Sequence, residues 1–224
     1  MMRPAPSILR VAVVLGLATF VLAGCRQGSA LHSRYNNFRA YYNAYYNASR
    51  VMEEGERRLE RPDQAIDRTR LLSLYPTAGA RGANFQEAID KSSELLRNRA
   101  DSKWADDALF VIGKAYYYQN NLVGAEQKFR ETIELASARG NDRLADEARV
   151  WLGRTLGAAQ RYEEGTAVLQ ERLTAAEGDR RALARLRLVL GELYAREGRY
   201  EEAAQALRQG IEDERDSDFA ARAL

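Results

Sequence analysis

One cysteine, one histidine and four prolines in 224 residues exclude a good deal before any pattern is read. With His32 the sole histidine, a Ser-His-Asp or Cys-His catalytic arrangement has nothing to be built from in the body of the chain. A zinc site of ordinary Cys/His composition cannot be assembled from one residue of each. A lone thiol permits no internal disulfide. Gly113-Lys114 lacks the upstream glycine of a phosphate-binding loop. No catalytic residue, metal ligand, cofactor or small-molecule substrate is expected. Scarce proline beside abundant Ala, Leu, Glu and Arg points to an all-α chain.

The first 24 residues differ in kind from the rest. Arg3 and Arg10 make a positive start, and Val11 to Val21 is an apolar run too short to span a bilayer comfortably. It ends in Leu22-Ala23-Gly24-Cys25, which resembles the lipobox cut by the lipoprotein signal peptidase. Small residues let a protease reach the backbone, and the Cys25 thiol is the nucleophile that takes the lipid. Each buried CH₂ of the acyl chains contributes about 0.8 kcal/mol, so the anchor is expected to be stable. Arg26 follows, not the aspartate that resembles an inner-membrane retention signal, and no acidic residue occurs before Glu53. The expected location is the periplasmic face of the outer membrane. Residues 25–32 are then a lipidated tether.

Charge of one sign is also missing. Residues 1–24 hold two of the 34 basic residues and no acids, so 34 less two leaves 32 against 32 acidic ones. A neutral mature chain with interspersed charges offers no nucleic-acid surface.

What is present is a repeat. "ADDALFVIGKAYYYQNNLVGAEQKFRETI" from 105, "ADEARVWLGRTLGAAQRYEEGTAVLQERL" from 145 and "LARLRLVLGELYAREGRYEEAAQALRQGI" from 183 align on Gly113, Gly153 and Gly191. Three positions past the first and third of these come Tyr116 and Tyr194; twelve past all three, the small residues Ala125, Gly165 and Ala203. Four further on are the large apolar Phe129, Leu169 and Leu207. This resembles the tetratricopeptide repeat, in which a helix A, a tight turn and a helix B pack closely at small residues and stack on their neighbours. The implied fold is a right-handed helical solenoid, with repeats at about 101–140, 141–178 and 179–216. The period is 38–40, not the 34 of that repeat, so longer connections are expected at 137–142 and 176–179. "QNN" (119–121) and "EGR" (197–199) are turns, and "AQR" (159–161) is a weaker one. "DFAARAL" (218–224) copies 103–109 and reads as the opening of a further repeat at 217–224, part of a longer protein.

Residues 33–100 read as an N-terminal helical segment. A helix over about 33–60 carries Tyr35, Phe38, Tyr42 and Tyr45/Tyr46 at helical spacing and stops before Pro62. An extended insertion lies near 70–82, and a second helix over about 83–98 turns Phe85, Ile89 and Leu96 inward. Lipobox, "NNFRAYYNAYYNASRVMEEG", "LLSLYP" and "SKWADDALFVIGKAYYY", in that order, resemble the tetratricopeptide lipoproteins of the type IX secretion and gliding-motility apparatus (SprE/PorW type) of Bacteroidota. A BamD-like lipoprotein of outer-membrane protein assembly is the second resemblance. Both imply a scaffold that is not an enzyme and whose partners are proteins of a membrane-associated machine. A targeting arm for a periplasmic enzyme, with its catalytic domain beyond Leu224, is the alternative of another class.

Two surfaces are candidates for partner binding. Tyr41, Tyr42, Asn43, Tyr45, Tyr46 and Asn47 form an aromatic and amide seam. It either packs the first helix onto the helix at 83–98 or docks a partner, since a tyrosine buries about 150–250 Å² and keeps a hydroxyl. The tetratricopeptide resemblance further implies a concave groove lined by A-helix residues: Phe110, Lys114, Tyr117 and Tyr118, then Arg154, then Glu192 and Arg196. On this reading Tyr116 packs while Tyr117 and Tyr118 turn to the groove.

Overall fold

The computed structural model describes residues 34, 35, 38, 44–59, 78, 79, 85–175 and 178–213. The lipobox residues Leu22, Ala23, Gly24 and Cys25, the tether, Tyr41, Tyr42, Asn43, most of the insertion near 70–82 and the further repeat at 217–224 lie outside these residues. Among the described residues there are eight helices and no strand, so the fold is all-α. The helices are α1 (Tyr46–Leu59), α2 (Gln86–Asn98), α3 (Ala105–Tyr118), α4 (Leu122–Ala138), α5 (Asp142–Ala158), α6 (Tyr162–Thr174), α7 (Arg180–Arg196) and α8 (Tyr200–Asp213). None is long and apolar enough to cross a membrane.

Each helix packs on the next in the chain, and α5 also meets α3 and α7. The arrangement is repeat-like, and the local chemistry that produces it recurs. The backbones of Asn120, Gln160 and Gly198 are left-handed, with φ of 61°, 62° and 79°. Behind each, the next amide donates to a carbonyl five residues back: Asn121 to Tyr116 at 2.8 Å, Arg161 to Leu156 at 2.8 Å and Arg199 to Tyr194 at 2.9 Å. This bond satisfies a carbonyl that the helix end would leave open and reverses the chain in three residues. "AQR" thus makes the same turn as "QNN" and "EGR", although glutamine is a poor residue for a left-handed backbone. At the start of α4 the Asn121 side chain accepts from the Gly124 amide (3.1 Å), and at the start of α7 the Asp179 side chain accepts from the Ala182 amide (3.0 Å).

The aligned glycines set the depth of each hairpin. A Cβ on Gly113 would lie 2.7 Å from Phe129 Cε1; on Gly153, 2.9 Å from Leu169 Cδ1; on Gly191, 2.7 Å from Leu207 Cγ. A side chain of any size therefore pushes the large apolar partner out of its seat. The small residues stand against the facing backbone, with a Cβ on Gly165 3.3 Å from the Gly153 carbonyl and one on Gly191 3.1 Å from that of Ala203. Ala125, Phe129 and Leu169 are wholly buried, and Tyr194 nearly so. Burial of each large side chain stabilises the fold by roughly 1.5–3 kcal/mol. The same device recurs outside the three aligned stretches, because the ring of Phe85, at the head of α2, fills the place of a Gly55 side chain on α1. On α2 the buried side chains are Ala88, Ile89, Ser92 and Leu95, with Leu96 only partly covered.

Ion pairs tie the start of each A helix to the end of its B helix. Buried Asp106 accepts from Arg139 (3.2 Å) and Asn141 (3.1 Å). Buried Asp146 takes Arg172 through two nitrogens at 2.6 and 3.0 Å. In the third hairpin the sense is reversed: Arg180 and Arg187 on α7 both reach Asp213 on α8. Paired and hydrogen-bonded in this way, two nearly inaccessible aspartates escape the cost of lone buried charges.

Candidate interaction clefts

The residues one place past each aligned glycine, Lys114, Arg154 and Glu192, stand on successive A helices, α3, α5 and α7. Their surroundings differ. Lys114 donates to Glu56 Oε2 of α1 at 2.8 Å, and Tyr118 donates to the other oxygen of the same carboxylate at 2.9 Å. Arg154, only 6% exposed, lies over Trp151 with its guanidinium carbon 3.8 Å from the ring centre, and 4.9 Å from that of Tyr117. Glu192 accepts from Arg196 at 2.7 Å.

Trp151 organises this region. It meets Phe110, Tyr117 and Tyr118 edge-on at 6.5, 5.4 and 5.7 Å, stacks near Phe129 at 6.0 Å, and has the Lys114 ammonium 5.0 Å from its ring centre. Tyr118 also stacks on Phe85 at 5.0 Å. Tyr117 and Tyr118 are consequently 4% and 3% exposed. The expectation that they turn to an open groove is corrected: Trp151 from the following hairpin and Phe85 from the preceding one roof them. Phe110 is buried for the same reason, while Tyr116 is partly buried and reaches across to Gly124 of α4. Burial, and then the Glu56 charge, pushes the Tyr118 hydroxyl well above the usual phenol range, so it stays a proton donor at every physiological pH.

Two openings flank this cluster. The larger, about 730 Å³, is bordered by Glu56, Lys114 and Tyr118, by Glu147 and Trp151, and by Arg181 and Arg185, among others. The smaller, about 240 Å³, is bordered by Tyr117, Asn120, Arg154, Glu192 and Arg196, with Ala78 at one edge. Both are walled by charge over aromatic surface, which suits polypeptide recognition: rings supply area, and paired charges supply direction. Among the described residues no cluster of three or more His, Cys, Asp or Glu is placed to hold a metal ion.

No protein-family model matches the sequence, and no curated protein matches it. The clefts are therefore read from their own geometry.

The described part of the tyrosine seam divides. Tyr45 stacks on Trp104 at 4.7 Å, and its hydroxyl donates to Asp107 Oδ1 at 3.4 Å. Tyr46 is half exposed and Asn47 partly covered. Contact of α1 with α2 runs through Ala48, Met52 and Gly55 against Phe85, Ala88 and Ile89. Asp107, the acceptor for Tyr45, has its carboxyl raised to about 6 by burial and by the adjacent Asp106.

Sequence reasoning did not single out Trp151 or Glu56. Trp151 had a signal: it sits two places before its glycine, where the other repeats carry Val111 and Val189. Glu56 had none, because its partners Lys114 and Tyr118 are about 60 residues away.

Proposed function

We propose that this chain is a lipid-anchored, tetratricopeptide-like helical solenoid that acts as a protein-interaction scaffold at the periplasmic face of the outer membrane. It works by presentation. A lipid on Cys25 fixes the molecule at the membrane, and the A helices offer a rigid, charged and aromatic surface to subunits of a machine. The observation that carries this reading is the recurrence, at spacings of 40 and 38, of one glycine-seated hairpin whose next residue borders a cleft: Lys114, Arg154 and Glu192. Stacked hairpins of this kind bury one continuous interior and leave one continuous face. The lipobox of residues 22–25 supports the anchor. The resemblance of the first half of the chain to secretion and gliding-motility lipoproteins supports that machine as the destination, ahead of barrel assembly.

Two measurements test it. Mass spectrometry of the mature N-terminal peptide is expected to find acyl chains on Cys25, and their absence removes the anchor. Affinity capture of the chain from detergent-solubilised membranes is expected to bring down subunits of a secretion or motility complex. Recovery of the barrel-assembly insertase without them defeats that assignment in favour of the BamD-like one. A domain rich in catalytic motifs encoded past Leu224 overturns the scaffold in favour of the targeting arm of an enzyme.

A further inference from the structure

The neutrality of the mature chain is the sum of two unequal parts. Residues 25–52 hold four arginines, Arg26, Arg34, Arg39 and Arg50, and no acid. The 32 basic residues after residue 24, less these four, leave 28 against the 32 acidic residues that all lie beyond residue 52. With the histidine neutral, the anchor end therefore carries +4 and the rest of the chain −4. The same end bears exposed rings: Tyr35, Phe38 and Tyr46 are 56%, 61% and 50% exposed. Tyr35 and Phe38 are helical and stand about one turn apart. Tyr46 is two residues from both Ala44 and Ala48, about 200° around a helix of 3.6 residues per turn. It thus lies opposite the face that Ala44, Ala48, Met52 and Gly55 bury against the bundle. Further along that outer face come exposed Arg50, 3.8 Å from Glu54, then Glu53 and Arg57. Rings give way to charge with distance from Cys25.

The direction of α1 gives this gradient a meaning. Tyr45 meets Trp104 and Asp107 at the start of α3, whereas Glu56 meets Lys114 and Tyr118 at its end. The two helices are parallel, so the aromatic end of α1 lies at the edge where A helices begin. The turn at 119–121 is at the opposite edge, about 17 Å away along α3 at 1.5 Å per residue. Ten residues separate Cys25 from Tyr35, and a fully extended chain of that length reaches about 35 Å at most. Rings with arginines and no carboxylates suit a headgroup layer: rings settle at its boundary with the acyl chains, and guanidinium groups are drawn to lipid phosphate.

We propose that the N-terminal end of α1, together with Tyr35 and Phe38 before it, is a bilayer-contact surface whose aromatic face enters the headgroup layer of an anionic membrane. The inference rests on the anchor at Cys25 and adds an orientation to it. Acyl chains alone leave a solenoid free to tumble on its tether; a second contact holds it with the A-helix starts toward the membrane and the hairpin turns away.

The test uses the full acylated chain, isolated from membranes and reconstituted into vesicles of phosphatidylcholine with or without phosphatidylglycerol. Phe38→Trp places a reporter on the surface, Tyr46→Trp a second one, and Val123→Trp a third beside the turn at 119–121, where the parent residue is 81% exposed. The parent, with Trp104 and Trp151, gives the baseline. With lipids brominated in their acyl chains, the added emission of Phe38→Trp is expected to fall roughly twofold, with that of Val123→Trp unchanged. Aqueous iodide is expected to quench Val123→Trp but not Phe38→Trp. If Phe38→Trp does not fold, Tyr46→Trp decides. Quenching by the lipid is expected to be stronger with phosphatidylglycerol and to lose that advantage in Arg34→Gln/Arg50→Gln and at high salt. A position-38 indole untouched by brominated lipid and still open to iodide overturns the surface and leaves those rings to a protein partner. Equal quenching with and without phosphatidylglycerol, or equal quenching at positions 38 and 123, overturns it too. Co-flotation of the chain with the vesicles reads the anchor separately. Flotation with an unquenched reporter removes only the contact surface, whereas a chain that does not float removes the anchor and this inference with it.

Discussion

The hairpin α3–α4 and the hairpin α7–α8 share a backbone plan and differ in what fills it. Around the first, where α5 joins it, the interior is aromatic: Phe110, Phe129, Tyr117, Tyr118 and Trp151, edged by the charges of Lys114 and Arg154. Around the second it is mostly aliphatic, with Leu183, Leu186, Val189, Leu190 and Leu193 over Leu169, and Tyr194 stands at its edge under the Arg199 guanidinium. Each has an aligned glycine facing a large side chain and a left-handed residue ending its A helix. Glycine placement therefore sets the geometry of a hairpin, and ring or branched filling decides whether its open face also gains polar function. Aromatic rings carry cations on their faces and hydroxyls on their edges, whereas leucines supply volume alone.

The comparison is sharpest at the position two before each glycine. Trp151→Ala is expected to cost about 3–5 kcal/mol and to release the Arg154 guanidinium from its seat. Val189→Ala, its counterpart on α7, is expected to cost about 2 kcal/mol, at about 0.8 kcal/mol per buried CH₂. Denaturant unfolding of the two variants measures both, and equal costs would mean that the aromatic cluster is not a distinct source of stability.

Glycine replacement separates the hairpins next. Gly113→Ala sets a methyl 2.7 Å from the ring of Phe129, which is wholly buried and has nowhere to turn, whereas Leu207 opposite Gly191 is only partly covered. Overpacking of about 1–3 kcal/mol exceeds the gain in helix propensity of about 1 kcal/mol at the first site. At the second site, rotation of Leu207 relieves part of the clash. Thermal melts in which Gly191→Ala is the more damaging would reverse the ranking.

Smaller effects are expected at the turns, where only the last A helix ends in glycine. Gln160→Gly is expected to raise stability by about 0.5–1 kcal/mol, and Asn120→Gly by less, because asparagine tolerates a left-handed backbone better than glutamine. Gly198→Gln is expected to lower it. Should Gln160→Gly destabilise, the glutamine side chain makes a compensating contact.

A pH dependence is also expected from the first hairpin. The folded-state pKa of Asp107, about 6, lies above its ordinary 3.8. Folding therefore favours its protonated form; the contribution is fully present below pH 4 and is lost as pH rises through 6. Glu147 and Arg185 occupy the corresponding places. Asp107→Asn is expected to match the parent near pH 4 and to be the more stable protein at pH 7. Parallel stability curves for the two across that interval would contradict the assigned shift.

Several features were legible without coordinates because they are local or periodic. The three A helices, their turns and the pairing of small with large residues follow from spacing along the chain. Phe85 and Ile89 were placed inward by the same periodicity, and both are buried. The turn at Gln160 was understated, since its shape is carried by backbone bonds that do not require glycine. Tyr117 and Tyr118 were misjudged because a residue's exposure depends on the neighbouring hairpin's filling. The aromatic cover on them comes from Trp151 and Phe85, some 30 residues away on either side.

What the amino-acid order determined by itself is the set of units: helical class, hairpin period, left-handed turns and glycine seats. These depend on backbone propensity and on contacts within about 40 residues. Tertiary structure alone decided that Tyr117 and Tyr118 are both covered, that Glu56 bridges Lys114 and Tyr118, and that Arg154 lies over an indole. Those outcomes depend on how one hairpin's side chains meet the next. Shape complementarity between surfaces far apart in the chain is not a property of any single stretch of it.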